Sequence, residues 1–289
     1  MKKLIIYLVF LEMNVFTKIK IAVSNTNKKG RALFMCNFGL GDQIDMIGAV
    51  RYLSQFYREV NVICFPNTYS TLSDFYSDNP RIVLIVVDPK IYWARHKYLV
   101  ENKIEGQYEA LKYDPNDYDA VFRAGWFTFP RNDMSIDYEI PKCFYRDLKF
   151  DLTIEHSHFH IAENKNSELL YSLVKGMRYI FIQQKSSNNF TPLIRWNINE
   201  TFTIDPNINL YSQGHQWHEL ASHFVNKPFP HYPATIIHAS ELHIVNSSFR
   251  CLAAHLPLEA TVKKCYHRDT GEHIPEWTFN RYNPTSPSK

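Results

Sequence analysis

The stretch RALFMCNFGLGDQIDMIGAV, residues 31–50, decides the fold prediction. It opens with an uninterrupted apolar run, residues 32–36, of the kind that is buried in parallel sheets. A glycine-bearing turn follows at residues 38–42, and apolar side chains then recur at helical spacing over residues 43–57. The stretch therefore predicts a buried strand, a tight turn and a helix, which together open a βαβ unit.

Strands and helices continue to alternate after this unit. In the first half we expect strands at 31–37, 60–65, 81–87 and 118–123, and a short helix at 69–76. The β-branched run at 81–87 predicts a strand covered on both faces, whereas residues 125–160 are predicted to be irregular. In the second half we expect strands at 178–183, 201–204 and 242–245, and helices at 168–175, 218–224, 233–239 and 246–255.

The predicted fold class is α/β, with two Rossmann-like lobes and a ligand cleft between them. We divide the chain into an N-terminal extension (1–30), a first lobe (31–165), a second lobe (166–270) and a C-terminal tail (271–289). The extension resembles the opening of a signal peptide, but its apolar run is interrupted and too short to span a bilayer. An extra strand or helix before the first lobe is the preferred interpretation.

Composition excludes several classes of protein. The 289 residues carry a net charge of +3 without a basic run, which argues against a dedicated nucleic-acid binder. The five cysteines include no CxxC pair, which argues against a zinc site or a disulfide framework and favours a reducing, cytoplasmic compartment. The length and the 45% hydrophobic content permit a sizeable core.

The turn after the first strand is the first candidate site. Gly39 and Gly41 allow a ligand to approach the backbone, and Asp42 lies at the start of the helix. Ile44 occupies the position of the third glycine in GxGxxG, and no P-loop lysine follows, so dinucleotide and P-loop binding are both disfavoured. A tight turn capped by Asp42 remains the structural alternative.

Two polar turns in the second lobe also follow strands. The first contains Gln183, Lys185 and Ser186, and the second is Asn246-Ser247-Ser248, which opens an apolar helix. Such groups suit a phosphate; the structural alternatives are a solvated loop lysine at Lys185 and a capping serine in the second turn. Because ligands of open α/β sheets bind at the carboxyl ends of strands, the joint pattern predicts a nucleotide-type ligand between the lobes.

These residues resemble glycosyltransferases of the GT-B fold, especially the heptosyltransferase-like group. The resemblance rests on residues 35–49, with their Gly-Asp turn, and on residues 239–254, where a small-residue turn opens a Leu-Ala-Ala helix. It departs from the group at residues 245–249, where Val-Asn-Ser-Ser-Phe replaces Gly-x-Asp-Ser-Gly. The chain is also short for the group.

The resemblance implies a metal-independent transfer of sugar from a nucleotide-sugar donor to a glycan or glycoconjugate acceptor. It implies that Asp42 is the general base, and that Lys185, Ser247 and Ser248 offset the charge of the leaving diphosphate. Glu241 would contact the ribose. No cofactor or metal is expected, and no DxD motif is present to hold an ion.

Other interpretations remain open at this point. A non-catalytic protein of the same fold could bind a sugar nucleotide or a glycan, and a Rossmann-type NAD-dependent enzyme is a third possibility. His215 and His218 are three residues apart without a nearby third ligand, so a donor-side or structural loop is preferred to a metal pair. Arg123 and Arg195 are candidate anion contacts, with surface pairing as the alternative.

Overall fold

The computed structural model describes residues 29–36, 39–88, 117–125, 140–186, 189–194 and 196–275. Most of the predicted N-terminal extension and C-terminal tail lies outside these ranges. None of the described helices is both long enough and apolar enough to cross a bilayer.

The first lobe contains a parallel four-stranded sheet. Its strands, in the spatial order β3-β2-β1-β4, are β1 (Lys29–Cys36), β2 (Tyr57–Cys64), β3 (Ile82–Val86) and β4 (Ala120–Ala124). This order is that of one half of a doubly wound sheet. The described helices of this lobe are α1 (Leu40–Asp45), α2 (Ile47–Leu53), α3 (Pro66–Phe75), α4 (Ile140–Leu148) and α5 (Thr153–Ser157).

The second lobe repeats the parallel architecture. Its strands, in the order β6-β5-β7-β8, are β5 (Tyr179–Gln183), β6 (Phe202–Ile204), β7 (Glu241–Val245) and β8 (Val262–Tyr266). The helices are α6 (Lys165–Ser172), α7 (His218–Ser222), α8 (Pro233–Ile237) and α9 (Ser248–His255), with a 3-10 helix at Phe229–His231. Two Rossmann-like lobes are therefore confirmed.

One continuous hydrophobic core joins the lobes. The same cluster contains Phe34 from the first sheet and Phe181 from the second, both almost fully buried. Phe75 meets Phe229 with ring centroids 6.1 Å apart, and Phe229 meets Phe249 at 4.6 Å. Helix α1 of the first lobe also packs directly against α9 of the second.

Three sequence predictions for the first lobe are corrected by the structure. The helix predicted over 43–57 breaks at Met46, whose ψ of −1° departs from helical geometry, and ends at Leu53. Strand β3 is not covered on both faces, because it lies at the sheet edge and leaves Val83 40% exposed. The region predicted to be irregular contains α4 and α5, although residues 126–139 lie outside the described residues.

The sequence interpretation also omitted β8, the edge strand of the second sheet. Its sequence is Val-Lys-Lys-Cys-Tyr, and only Cys265 and Tyr266 are buried. Charged side chains are a common feature of edge strands, and here they obscured the apolar alternation that marks a strand.

Candidate functional site

The glycine turn leads from the end of β1 into α1. Gly39 is extended (φ −71°, ψ −174°) and exposed, and it is the N-cap residue of the helix. Asp42 lies in the first turn of α1 and is half-buried. The turn therefore presents a carboxylate at the carboxyl edge of the first sheet.

Gly41 brings this turn into contact with the second lobe. A Cβ atom at this position would lie 2.9 Å from Cys251 Sγ and 3.5 Å from Ser248 Cα. The absence of a side chain thus allows α1 to approach the first turn of α9 closely. The predicted turns at residues 39–42 and 246–248 are consequently brought together.

Hydrogen bonds tie the second-lobe turn to the end of β5. Ser247 Oγ donates to Gln183 Oε1 at 2.8 Å, and the side-chain amide of Gln183 donates to the carbonyl of Lys185. The backbone N–H of Asn246, a buried residue, donates to the carbonyl of Tyr266 at 2.8 Å. Gln183 is also buried, so its observed role is to hold the ends of β5 and β7 together.

Hydrogen bonds between Ser186 and Asn189 stabilise a turn in the loop after β5. Ser186 N donates to Asn189 O at 2.8 Å, and Ser186 Oγ accepts from Asn189 N at 3.2 Å. Lys185 is exposed beside this turn and forms an isolated antiparallel bridge with Phe190. The charge of Lys185 therefore faces solvent at the carboxyl edge of β5.

A buried carboxylate supports the same loop. Asp205, directly after β6, accepts from Gln184 Nε2 at 3.1 Å and from Asn207 N at 2.7 Å. Burial raises the pKa of Asp205 to about 6, although these hydrogen bonds oppose the rise. Leu193 N in turn donates to Gln184 Oε1 at 2.7 Å, so the network fixes both sides of the loop.

The predicted site lies at the topological switch points of the two sheets. In the first sheet β1 lies between β2 and β4, and the chain order reverses beside the glycine turn. In the second sheet the reversal falls between β5 and β7, whose ends carry Gln183 and Asn246. Open α/β sheets bind ligands in the crevice at such points.

Glu241 is not brought to this edge. It begins β7, whereas the serine turn follows the end of that strand. Its carboxylate forms an ion pair with Arg178 at 3.2 Å and lies 3.6 Å from His243 Nε2. The structure therefore separates Glu241 from the other predicted donor-site residues.

The other candidate residues that the structure describes are not gathered into one site. His215 Nε2 lies 3.0 Å from Asn199 Oδ1 and His218 Nδ1 lies 2.8 Å from Tyr211 O, so the two rings hold a loop through different partners. Arg123 is part of β4, paired in register with Met35 of β1. Arg195 lies outside the described residues.

Sequence reasoning missed a buried ion pair behind the two turns. Asp45 Oδ2 at the end of α1 lies 3.7 Å from Arg250 in α9, and both side chains are at most 5% exposed. Burial alone would raise the pKa of Asp45, but the charge of Arg250 and a hydrogen bond from His255 lower it below its ordinary value. A charged residue among the apolar residues of α9 was the available sequence signal for Arg250, whereas the polar residues Asp42 and Gln43 in the same helix left no such signal for Asp45.

Arg250 also influences the predicted catalytic turn. Burial alone would lower its pKa, but Cys251, Asp45 and, more weakly, Asp42 raise it above its ordinary value. The guanidinium therefore supplies a fixed positive charge behind the glycine turn.

A separate surface cavity of about 370 Å³ lies at the opposite edge of the first sheet. Its lining includes Ser54 and Gln55 before β2, Arg81 before β3, and His158 and His160 after α5. Because the strands are parallel, this position is at their amino ends and belongs to a different part of the first lobe from the glycine turn.

The fold and the site define a two-lobed α/β protein whose strand-end turns meet at the interface of its lobes. No protein-family model matches the chain, and no curated protein sequence matches it.

Several solved structures are similar to the chain, including the following three. A glycosyl transferase of family 9 from Veillonella parvula is 10% identical, with a TM-score of 0.46 over 82% of this chain and 86% of that one. The iron-containing dodecameric glycosyltransferase TibC from enterotoxigenic E. coli is 14% identical, with a TM-score of 0.43 over 82% and 58%. The E. coli heptosyltransferase WaaC, solved with ADP, is 9% identical, with a TM-score of 0.40 over 84% and 93%.

Proposed function

We propose that this protein is a glycosyltransferase that moves a sugar from a nucleotide-sugar donor to a hydroxyl group of a glycan or glycoconjugate. The observation that carries the proposal is the contact between the Gly41 turn and the Ser248 end of α9. It joins the carboxyl edges of two parallel sheets, which are the edges where α/β proteins bind nucleotides. The motif resemblance in both turns supports the same function.

The donor is assigned to the second lobe. The turn at Asn246–Ser248 opens α9, so its backbone N–H groups and the positive end of the helix suit a diphosphate. Lys185 adds an exposed charge from the neighbouring strand end, while Gln183 and Ser186 hold the surrounding loops in place. Gly39 leaves room for the sugar beside the first-lobe turn, because an added Cβ there would meet nothing within 4 Å, whereas the space at Gly41 is taken by the contact with α9.

Asp42 is assigned as the general base. Its carboxylate would accept the proton of the acceptor hydroxyl as that oxygen bonds to the anomeric carbon. The bond from the anomeric carbon to the diphosphate then breaks, and its electron pair leaves with the diphosphate. Positive groups at the second-lobe turn offset the developing charge, so the proposed reaction is metal-independent and its rate should not depend on added Mg²⁺ or Mn²⁺.

We also place this activity in the cytoplasm. All five cysteines are buried and none of them forms a disulfide bond, as expected for a protein of a reducing compartment.

The test is Asp42→Asn, which removes the base but keeps the shape of the side chain. General-base catalysis contributes about 10²- to 10⁴-fold, so turnover should fall within that range while the donor Kd stays unchanged. Asp74→Asn, an exposed position in α3, is the matched control and should keep full turnover. Unchanged turnover in Asp42→Asn would remove this residue as the base.

A non-catalytic sugar-nucleotide-binding protein is the second candidate. It is favoured by one observation, the replacement of the group's Gly-x-Asp-Ser-Gly by Val-Asn-Ser-Ser-Phe at residues 245–249. Binding of a sugar nucleotide with neither transfer nor hydrolysis, across a broad acceptor panel, would identify it.

A further inference from the structure

A buried cluster of imidazoles and carboxylates lies where three helices from the two lobes meet. Asp45 ends α1, Glu155 and His156 belong to α5, and His255 ends α9. The side chains of Glu155 and His255 are 0% exposed, and that of His156 is 22% exposed. The cluster is thus enclosed, with one member reaching solvent.

The imidazoles of His156 and His255 face each other through their Nδ1 atoms. His156 Nδ1 and His255 Nδ1 are 3.1 Å apart. The Nε2 atoms of both rings face carboxylates. His255 Nε2 lies 3.3 Å from Asp45 Oδ1 and 3.7 Å from Glu155 Oε1, and His156 Nε2 lies 3.8 Å from Glu155 Oε2, so the Glu155 carboxylate lies between the two rings. The ring of Phe159 stacks on His255 with centroids 4.3 Å apart and so fixes the orientation of that imidazole.

This arrangement favours a cation between the two Nδ1 atoms. Donation from His255 Nε2 to Asp45 leaves the Nδ1 of a neutral His255 as an acceptor. If His156 donated from its own Nδ1 in the neutral form, its Nε2 lone pair would point towards the carboxylate of Glu155. With both rings neutral and both Nε2 atoms protonated towards carboxylates, two lone pairs meet at 3.1 Å, and a cation between them, either a proton or a metal ion, relieves the repulsion.

The donor set matches a transition-metal ion. Glu155, His156 and His255 each offer one ligand atom, and these atoms all lie within 4.8 Å of one another. Tetrahedral Zn²⁺ has bonds of about 2.0–2.1 Å to histidine, which places two nitrogen ligands about 3.3 Å apart. A carboxylate on the second nitrogen of a ligating histidine, as Asp45 provides for His255, is the usual outer-shell partner.

We propose that His156, His255 and Glu155 bind one divalent transition-metal ion, with Zn²⁺ as the best match to two imidazoles and a carboxylate. Water would complete the coordination, and the exposed edge of His156 gives the ion its access. The ion joins α5 of the first lobe to α9 of the second, so its role is structural. The inference does not depend on the proposed glycosyl transfer.

The test uses untagged full-length protein that has been treated with a chelator and checked for folding by circular dichroism. Co²⁺ is added first as a spectroscopic probe, and Zn²⁺ is then used to displace it. We expect visible absorption bands that saturate at one Co²⁺ per chain and disappear on addition of one equivalent of Zn²⁺. We also expect Zn²⁺ to raise the Tm of the protein.

His156→Gln is the test variant because this side chain is partly exposed and its replacement should leave the fold intact. Its Zn²⁺ affinity should fall at least about tenfold, and the rise in Tm with Zn²⁺ should disappear. His223→Gln, an exposed histidine after α7, is the matched control and should bind as the natural protein does. A folded, chelator-treated natural protein that binds no Zn²⁺, or a His156→Gln variant that binds it equally tightly, would overturn the proposal.

Discussion

Burial and neighbouring charges have opposite effects on the pKa of the Asp45 carboxyl group. It lies 3.7 Å from Arg250 and 3.3 Å from His255, and its pKa is lowered although burial alone would raise it. A carboxyl group whose pKa is lower in the folded state contributes stability above its ordinary pKa. That contribution is lost as the pH falls through the lowered value.

Asp45→Asn should therefore destabilise the protein most at neutral pH. Removing one partner of a buried pair costs about 3–5 kcal/mol, because the remaining charge stays buried. The difference from the natural protein should begin to narrow below about pH 4, where the unfolded state takes up a proton at the ordinary pKa of aspartate, and should close as the pH falls through the lowered pKa of the folded state. Urea unfolding between pH 7 and pH 3 measures the difference in the free energy of unfolding between Asp45→Asn and the natural protein. The exposed Asp74→Asn is the control. A difference that does not change with pH would contradict the account.

At the residue scale, the sequence revealed only what is encoded locally. The turns at 39–42 and 246–248 were found because glycine, aspartate and serine have local roles at strand ends. Asp45 and His255 were not found, because their roles arise from a contact between residues 210 positions apart. His156 and His255 are 99 positions apart, which explains why the histidine cluster was invisible to a search for metal-ligand spacing.

At the scale of elements, glycines set how closely helices approach. An added Cβ at Gly48 in α2 would lie 2.6 Å from the carbonyl oxygens of Ile154 and Glu155 in α5. At Gly41 the nearest atom is a side-chain sulfur at 2.9 Å, and at Gly39 nothing lies within 4 Å. Backbone atoms cannot move aside as side chains can. The steric cost of adding a side chain is therefore expected to decrease from Gly48 to Gly41 to Gly39.

Alanine at these three glycines should destabilise the protein in the order Gly48, Gly41, Gly39. Overpacking costs about 1–3 kcal/mol, and we expect Gly48→Ala at or above the upper end. Gly39→Ala should cost no more than about 1 kcal/mol, since it only replaces one N-cap residue by another. Urea unfolding of the three variants measures the series, and equal losses at Gly39 and Gly48 would contradict it.

The contact at Gly41 can be examined further by truncating the side chain of Cys251, which lies opposite it. Cys251→Ala removes the sulfur that an added Cβ would meet, so the double variant should lose less stability than the sum of the two single changes. Additive losses would show that Cys251 does not limit the approach of the two helices.

The elements themselves were predictable to different degrees. Apolar runs within strands β1, β2, β5 and β7, which lie inside their sheets, identified these strands, and the apolar run of the edge strand β3 identified that strand as well. Edge strand β8 was missed because its lysines need no burial, and α4 was missed because Lys142 and Arg146 interrupt its buried residues. The packing of α1 on α9 could not be predicted from either helix alone.

At the scale of the whole molecule, the two lobes share one hydrophobic core, and the turns at the carboxyl edges of their two sheets are in contact. The buried cluster extends from the first sheet to the second, and the Phe75–Phe229–Phe249 contacts continue it across the interface. This packing holds the glycine turn against the serine turn and brings Asp45, Arg250 and His255 together behind them. The proposed donor site and the proposed metal site therefore depend on the same lobe arrangement but involve different side chains.

The most direct test of the central claim is a thermal-shift measurement with UDP-, GDP-, ADP- and CMP-sugars, using NAD and ATP as controls. A ligand at 100 times its Kd stabilises the folded state by about 2.7 kcal/mol, which raises the Tm of a protein of this size by several degrees. We predict such a shift with one sugar nucleotide and not with NAD or ATP, and a smaller shift in Ser247→Ala. A shift with NAD alone, or none with any sugar nucleotide, would contradict the account.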